Sequence, residues 1–242
     1  MERIDKIIAS QGKYSRKEVK ALIAKGRVSV DGETVKSSSV KADAAKQSIA
    51  VDGTLLDFKK NVYLMLNKPQ GYVSATEDRE HPTVLELVPE EFRGRDIFPA
   101  GRLDKDTTGL MIITDDGVLA HNILAPKKHV PKMYHVRLDI AVTEEMRDGF
   151  QRGVELNDGV CKSAELEQTG EFTAKVTLQE GRYHQIKRMF GCFGAEVVEL
   201  KRLSMGKLSL PDELAEGECR ELTADELQLL CCRENIGNVK NV

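Results

Sequence analysis

The chain has 242 residues, of which 40% are hydrophobic and 31% charged, with a net charge of −3. That length supports a buried core plus a second small domain, and the composition excludes collagen-like, low-complexity and disulfide-scaffold chains. No apolar run approaches the roughly 20 residues that span a bilayer, the start Met1-Glu2-Arg3-Ile4-Asp5-Lys6 lacks a signal-peptide core, and five scattered cysteines without C-x-x-C spacing argue against a zinc site or disulfide framework. The expectation is a reduced, cytoplasmic protein with no membrane association.

Charge is unevenly distributed. Residues 1–60 carry 13 Lys+Arg against 8 Asp+Glu, and the remainder 23 against 31. A basic front joined to an acidic body often marks a polyanion-binding arm. Within that front, Ile4, Ile7 and Ile8 recur at helical spacing. Ser15-Arg16-Lys17-Glu18 is a capping-box pattern. It predicts a helix that buries Val19, Leu22 and Ile23, exposes Arg16, Lys17 and Lys20, and stops near Gly26. Residues 27–35 then alternate around Asp31-Gly32, a hairpin signal, and 49–55 repeat it around Asp52-Gly53.

Two short helices followed by small strands, with Arg16, Lys17, Lys20, Lys25 and Arg27 close together, form a compact basic surface. Arg3-Ile4-Asp5-Lys6, Ser15-Arg16, Leu22-Ile23, Gly26-Arg27-Val28 and Val30-Asp31-Gly32 resemble the S4 RNA-binding domain over roughly residues 1–50. The resemblance implies binding to structured RNA through Arg3, Lys6, Arg16, Lys17, Lys20, Lys25 and Arg27, with phosphates held by the cations and shape deciding the fit.

From Asn61 onward, strand and helix signals mix. Val62 to Leu66 reads as a buried strand, and Asn67-Lys68-Pro69-Gln70-Gly71 as a turn. Pro82 to Val88 predicts a short helix with Pro82 near its first turn. Leu110 to Thr114 reads as a central strand ended by Asp115-Asp116-Gly117. Val118 to Leu124 then predicts a helix, Tyr134 to Leu138 a strand, Thr143 to Gln151 a helix and Thr173 to Leu178 a strand. A last helix is predicted near Thr223 to Cys232. The order lacks a regular strand–helix beat, so the fold class is α+β, with a mixed, mainly antiparallel sheet flanked by helices. The expected division is a small N-terminal domain with its linker over 1–59 and a catalytic domain over 60–242.

The sequence contains no Walker A, G-x-G-x-x-G, H-E-x-x-H or G-x-S-x-G pattern. Its histidines (81, 121, 129, 135 and 184) show no metal-ligand spacing. The expectation is chemistry without cofactor or metal. Two stretches are candidates for it. In Gly101-Arg102-Leu103-Asp104-Lys105-Asp106-Thr107-Thr108-Gly109-Leu110, a carboxylate sits on a loop entering a rigid strand, a good place for a positioned group. Such a carboxylate can act as nucleophile or ion stabiliser, and local chemistry does not choose between Asp104 and Asp106. In the stretch from Glu180 to Phe193, Tyr183, Ile186, Met189, Phe190 and Phe193 form a core stripe at helical spacing. His184, Lys187 and Arg188 cluster on an adjoining face that suits a phosphate or a catalytic carboxylate.

The 101–110 block, Lys132-Met133-Tyr134, and Gly181-Arg182-Tyr183-His184-Gln185-Ile186-Lys187-Arg188-Met189 resemble, in order and approximate spacing, the signature blocks of RNA pseudouridine synthases. Asn67-Lys68-Pro69-Gln70-Gly71-Tyr72 matches as well. The wording is most similar to the RsuA branch, synthases of bacterial small-subunit rRNA. One departure is Met133, where the family pattern has threonine. The resemblance implies that Asp104 is the essential aspartate. It implies that Tyr134 packs on the target base and is a candidate to take the C5 proton, that Lys187 pairs with the aspartate, and that Ile186 shapes the uracil pocket. Arg102, Arg182, His184 and Arg188 are the further expected substrate-binding residues. The implied partner is ribosomal RNA, 16S at the uridine-516-type site, bound by a monomer. A synthase for 23S rRNA and a non-catalytic RNA-binding or ribosome-assembly factor remain open. Attack by Asp104 at C1′ or C6 and proton abstraction from C2′ also remain open.

Overall fold

A computed structural model describes residues 1–125 and 130–231; His129 and Cys232 lie outside them. The chain forms two compact units. One comprises Met1–Val62 and Val88–Phe98, the other Tyr63–Leu87 and the chain from Pro99 onward.

The first unit opens with β1 (Glu2–Arg3), α1 (Ile4–Ala9) and α2 (Arg16–Ala24). The capping box forms as expected: the Glu18 amide donates to Ser15 Oγ, and the Ser15 amide donates to the Glu18 carboxylate at 2.7 Å. Four strands follow with β2 (Val28–Val30), β3 (Glu33–Thr34), β5 (Ile49–Val51) and β6 (Thr54–Leu55) in the order β3-β2-β5-β6, while β4 (Lys41–Ala42) pairs with β1. Both hairpins turn on Asp-Gly pairs with φ of 52° and 83° at Asp31-Gly32 and 54° and 76° at Asp52-Gly53. Two positive φ values in a row give the turn whose twist matches the strands. Ile4, Ile7, Ile8, Val19, Leu22, Ile23 and Val28 make the core. A returning segment with α3 (Glu90–Arg93) completes the unit. Its Arg95 donates to Gln11 Oε1 at 3.1 Å and to the Lys59 carbonyl at 3.0 Å.

The second unit is built on one sheet. Its path runs β13 (Glu165–Gln168), β14 (Thr173–Leu178), β10 (Lys132–Leu138), β15 (Val197–Met205), β9 (Thr108–Thr114), β7 (Tyr63–Lys68) and β17 (Cys219–Glu221). The β9–β15 pair is parallel and every other step of the path is antiparallel, the mixed and mainly antiparallel sheet expected. β16 (Leu208–Ser209) extends β15, β11 (Glu155–Leu156) and β12 (Gly159–Val160) form a separate hairpin, and β8 (Phe98–Pro99) lies where the chain passes from one unit to the other. Leu110, Met111, Ile112 and Ile113 on β9 are all fully buried. A strand covered on both faces reads as an unbroken apolar run, and each such side chain contributes about 1.5–3 kcal/mol.

The helices α4 (Gly117–Leu124), α5 (Glu144–Arg152), α6 (Gln185–Gly191) and α7 (Ala224–Cys231) lie outside the sheet path. Asp116 caps α4 by accepting from the Val118 and Leu119 amides, and Thr143 caps α5 by accepting from the Met146 amide. Residues 84–87 form a 3-10 turn within the predicted helix.

Three expectations change. β7 continues through Asn67 and Lys68, so the turn begins only at Pro69. α6 starts at Gln185, because His184 takes a left-handed conformation at φ 45°. Tyr183 therefore leaves the core stripe and stands 68% exposed. The long strand β15 is absent from the sequence-based reading. Among the described residues no helix is long and apolar enough to cross a membrane, and no cluster of His, Cys, Asp and Glu is placed to hold a metal ion.

Candidate active site

The segment from Gly101 to Thr107 is a loop delivered to the start of β9, and five features fix it. Ser74 Oγ donates to the Leu103 carbonyl at 2.7 Å and accepts from the Leu103 amide at 3.0 Å. The Thr107 amide closes a turn on the Asp104 carbonyl at 3.1 Å, and the Gly71 amide donates to the Lys105 carbonyl at 2.9 Å. Lys68, fully buried at the end of β7, donates from Nζ to the carbonyls of Thr107 at 2.8 Å, Pro69 at 3.0 Å and Lys105 at 3.3 Å. Finally, Gly109 (φ +98°) admits the β15 backbone, since a Cβ there would lie 2.3 Å from the Arg202 carbonyl oxygen.

The loop borders a cavity of about 390 Å³, within the size range of small-molecule sites. Its lining includes Arg102, Asp104, Lys132, Tyr134, Glu180, Arg182, His184, Ile186, Lys187 and Arg202, with Leu103, Leu178 and Leu200 as apolar wall. Asp104 is partly buried; its Oδ1 lies 3.4 Å from His184 Nε2 and its Oδ2 3.9 Å from Lys187 Nζ. Glu180, the other acid in the lining, is engaged structurally, accepting from the Lys162 amide at 3.0 Å and Gln185 Nε2 at 2.8 Å.

Lys187 has a closer partner than Asp104. Its ammonium donates at 2.6 Å to both oxygens of Asp106, which stands outside the cavity lining. Partial burial pushes the Asp106 carboxyl up, but the Lys187 contact outweighs it and holds the group below its ordinary value. Burial lowers Lys68 to about 8, opposed by Asp106 and Asp104 and assisted by Arg202. Burial also lowers Lys132 to about 8, with the Arg202 charge adding to the effect.

The structure thus brings together Asp104, Tyr134, Lys187, Arg102, Ile186 and His184. It treats the two arginines of the second block differently. Arg182 reaches the lining, but its guanidinium donates to the carbonyls of Gly159 at 2.8 Å and Val160 at 2.6 Å, pinning the β11–β12 hairpin. Arg188 stands outside the lining, paired with Asp158 at 2.5 Å and 3.3 Å. The expected basic face of His184, Lys187 and Arg188 does not form, because His184 precedes the helix. Its ring instead stacks on Tyr183 at 3.9 Å. Lys68, Ser74 and Arg202 are site residues that sequence reasoning did not assign. For Arg202 the available signal is its phase, two residues from buried Leu200 on the inward side of a strand.

In the first unit, several expected RNA-binding cations are occupied. Arg3 and Arg16 each lie 3.0 Å from the fully buried Asp5, Lys6 pairs with Glu2 at 2.7 Å, and Arg27 pairs with Asp52 at 2.6 Å. Lys17, Lys20 and Lys25 are exposed, and among the described residues no carboxylate pairs with them.

Residues 62–191 match the family model described as RNA pseudouridylate synthase, and residues 2–45 match the S4 domain. An uncharacterised RNA pseudouridine synthase of Bacillus subtilis is 47% identical over 234 residues, 94% of this chain and 98% of the relative. The ribosomal small subunit pseudouridine synthase A of Escherichia coli is 42% identical, covering 93% and 98%. A solved pseudouridylate synthase superposes with a TM-score of 0.68 at 38% identity, covering 95% of this chain and all of that one. With an Asp104-bearing loop set beside a cavity on a mixed sheet, a match to the RNA pseudouridylate synthase model over residues 62–191 and an S4 match over residues 2–45, this chain belongs to the RNA pseudouridine synthase family.

Proposed function

We propose that this enzyme isomerises one uridine of small-subunit ribosomal RNA, at the uridine-516-type site, with Asp104 as its catalytic carboxylate. The observation that carries the catalytic assignment is placement. Asp104 lines the cavity beside His184 and Lys187, whereas Asp106 faces Lys187 from outside the lining. The small-subunit assignment is supported by the relatives that carry that name at 42% identity over 93% of the chain.

A target uridine held in a stem must first leave its stack, at a cost of a few kcal/mol. Phosphate contacts from exposed lysines of the S4 domain offset part of that. The flipped uracil enters the cavity against Tyr134 and Ile186, with Arg102 at the lining beside Asp104. The C1′–N1 bond then breaks, the base turns, and a C5–C1′ bond forms. C5 loses its proton and N1 ends protonated, so the reaction balances without a cofactor. Tyr134 is the candidate acceptor of the C5 proton, and Lys187 offers Asp104 a positive neighbour.

Mapping pseudouridine in both large rRNAs of a deletion strain tests this reading. The expected result is the loss of one 16S pseudouridine, restored by the wild-type gene but not by Asp104→Asn. Loss from 23S rRNA would reassign the substrate. An unchanged map would favour an RNA-binding assembly factor.

A further inference from the structure

The cavity holds two cations that Asp104 does not use. Arg202 comes from β15 and Lys132 from β10, and both line it. Arg202 is 1% exposed, its Nε donates to the Leu110 carbonyl at 2.7 Å, and its Nη2 is buried with no partner among the described residues. Lys132 donates from Nζ to the Val130 carbonyl at 3.3 Å. No carboxylate pairs with either side chain among the described residues, and the Arg202 charge acts on Lys132. In the β10–β15 ladder Arg202 sits opposite Tyr134, so the guanidinium shares a face with the residue expected against the base.

A buried guanidinium with an unmet donor is costly unless something arrives to accept from it. The walls around the pair include Leu178, Leu200 and Ile186, which suit a flat heterocycle better than a hydrated phosphate. The reaction supplies an anion at that place. When the C1′–N1 bond breaks, its electron pair stays on uracil and spreads from N1 onto the ring carbonyl oxygens. The charge is withdrawn when C5 bonds to C1′, the C5 proton leaves and N1 takes up a proton. Fixed donors in a dry site stabilise such transient charge most effectively.

We propose that Lys132, half-buried, and Arg202, buried, form a donor pair that stabilises the departing uracil anion through its carbonyl oxygens. The inference rests on the isomerase reading above and assigns these two residues a catalytic role distinct from that of Asp104 and Lys187.

The test uses the full chain and a 16S rRNA transcript carrying 5-³H-uridine. Single-turnover tritium release gives the rate and filter binding gives the affinity. Lys132→Met and Arg202→Met should each slow release by about 100-fold or more, with RNA affinity unchanged, while Lys132→Arg retains most of the rate. An unchanged rate would overturn the proposal. So would weakened affinity with a shallower salt dependence, which marks a phosphate contact, or equal losses for Lys132→Met and Lys132→Arg, which mark a packing role. If circular dichroism shows Arg202→Met unfolded, the Lys132 pair decides alone. Absence of release by the wild-type enzyme would instead refute the substrate assignment, and the same variants would then be compared on 23S rRNA.

Discussion

The Lys187 ammonium lies 2.6 Å from both oxygens of Asp106 and 3.9 Å from the nearer oxygen of Asp104. The lysine is thus shared between an exposed acid and a cavity acid. The Asp106 side chain is 65% exposed, so water and salt screen its pairing, and such a pair contributes about 1 kcal/mol at most. Asp106→Asn should therefore lower the rate of tritium release about fivefold or less. Asp104→Asn should lower it by about 10⁴-fold or more while RNA affinity persists. Equal losses in the two variants would transfer the catalytic role to Asp106.

Two lysines, Lys68 buried and Lys132 half-buried, predict opposite responses of activity and stability to alkali. Lys68 and Lys132 are each lowered to about 8 by burial. Lys68 is influenced by Asp106, Asp104, Arg202 and Glu216, and Lys132 by Arg202. Above that pH, Lys68 keeps too few N–H donors for its three carbonyls, and Lys132 loses its charge. The single-turnover rate should fall as pH rises through about 8. Stability should move the other way. The unfolded lysines still bind protons that the folded ones have lost, so unfolding free energy rises with pH in that window. The gain lessens above 9.0, where unfolded Cys219 ionises while burial keeps the folded thiol protonated up to about 12, one thiol opposing two lysines. Urea unfolding at pH 8 and pH 9, alongside a pH–rate profile, checks both signs. A flat rate through that range would show that neither lysine needs its proton, and an alkaline limb that survives Lys132→Arg would assign it to Lys68.

Local chemistry made much of this legible in advance. Asp31-Gly32 and Asp52-Gly53 announced their hairpins because that turn needs two positive φ values, and Ser15 with Glu18 announced the start of α2. Long-range satisfaction was harder to read. The charge on Lys68 resembles a turn residue, yet the strand continues because its ammonium meets three carbonyls from distant segments. Bulges between Met133 and Tyr134 and between Arg137 and Leu138 interrupt the β10–β15 register, and β15 itself lacks clean alternation. That strand carries Arg202 and was missed with it. The helical stripe through Tyr183 failed at a single residue, His184, whose left-handed backbone no spacing rule anticipates.

The S4 domain separates cations that hold structure from cations open to RNA. Asp5 is fully buried, and its carboxyl is held below its ordinary value by Arg3 and Arg16, against the opposing effect of burial. Its stabilising contribution is present above pH 3.8 and is lost as pH falls through the depressed value. Asp5→Ala should destabilise the chain by about 1–3 kcal/mol, as read by urea unfolding. Alanine at Lys17, Lys20 or Lys25 should leave unfolding unchanged. If each lysine meets a phosphate, its loss reduces the slope of log affinity against log salt by about 1. Unaltered slopes in all three variants would remove this face from the RNA contact.

Gly109 joins the Asp104-bearing loop to the central strand, and no side chain fits there. Its φ is +98°, and an added Cβ would meet the Arg202 carbonyl oxygen at 2.3 Å and the Arg202 amide nitrogen at 2.8 Å. Both obstacles are backbone of the parallel partner strand, where Gly109 is paired with Arg202, so neither can swing aside as a flexible side chain would. Gly109→Ala should cost about 3 kcal/mol or more from strained φ together with strand displacement. The displaced strand carries Arg202, and the displaced loop carries Asp104. Tritium release at saturating RNA should therefore fall further than the loss of folded protein explains. Gly117→Ala is the matched control. It lies in the first turn of α4, an added Cβ meets nothing within 4 Å, and the change should be neutral or stabilising by up to about 1 kcal/mol. Urea unfolding of the two variants makes the comparison, and a Gly109→Ala protein as stable and active as wild type would show that β9 and β15 can separate without disturbing the site.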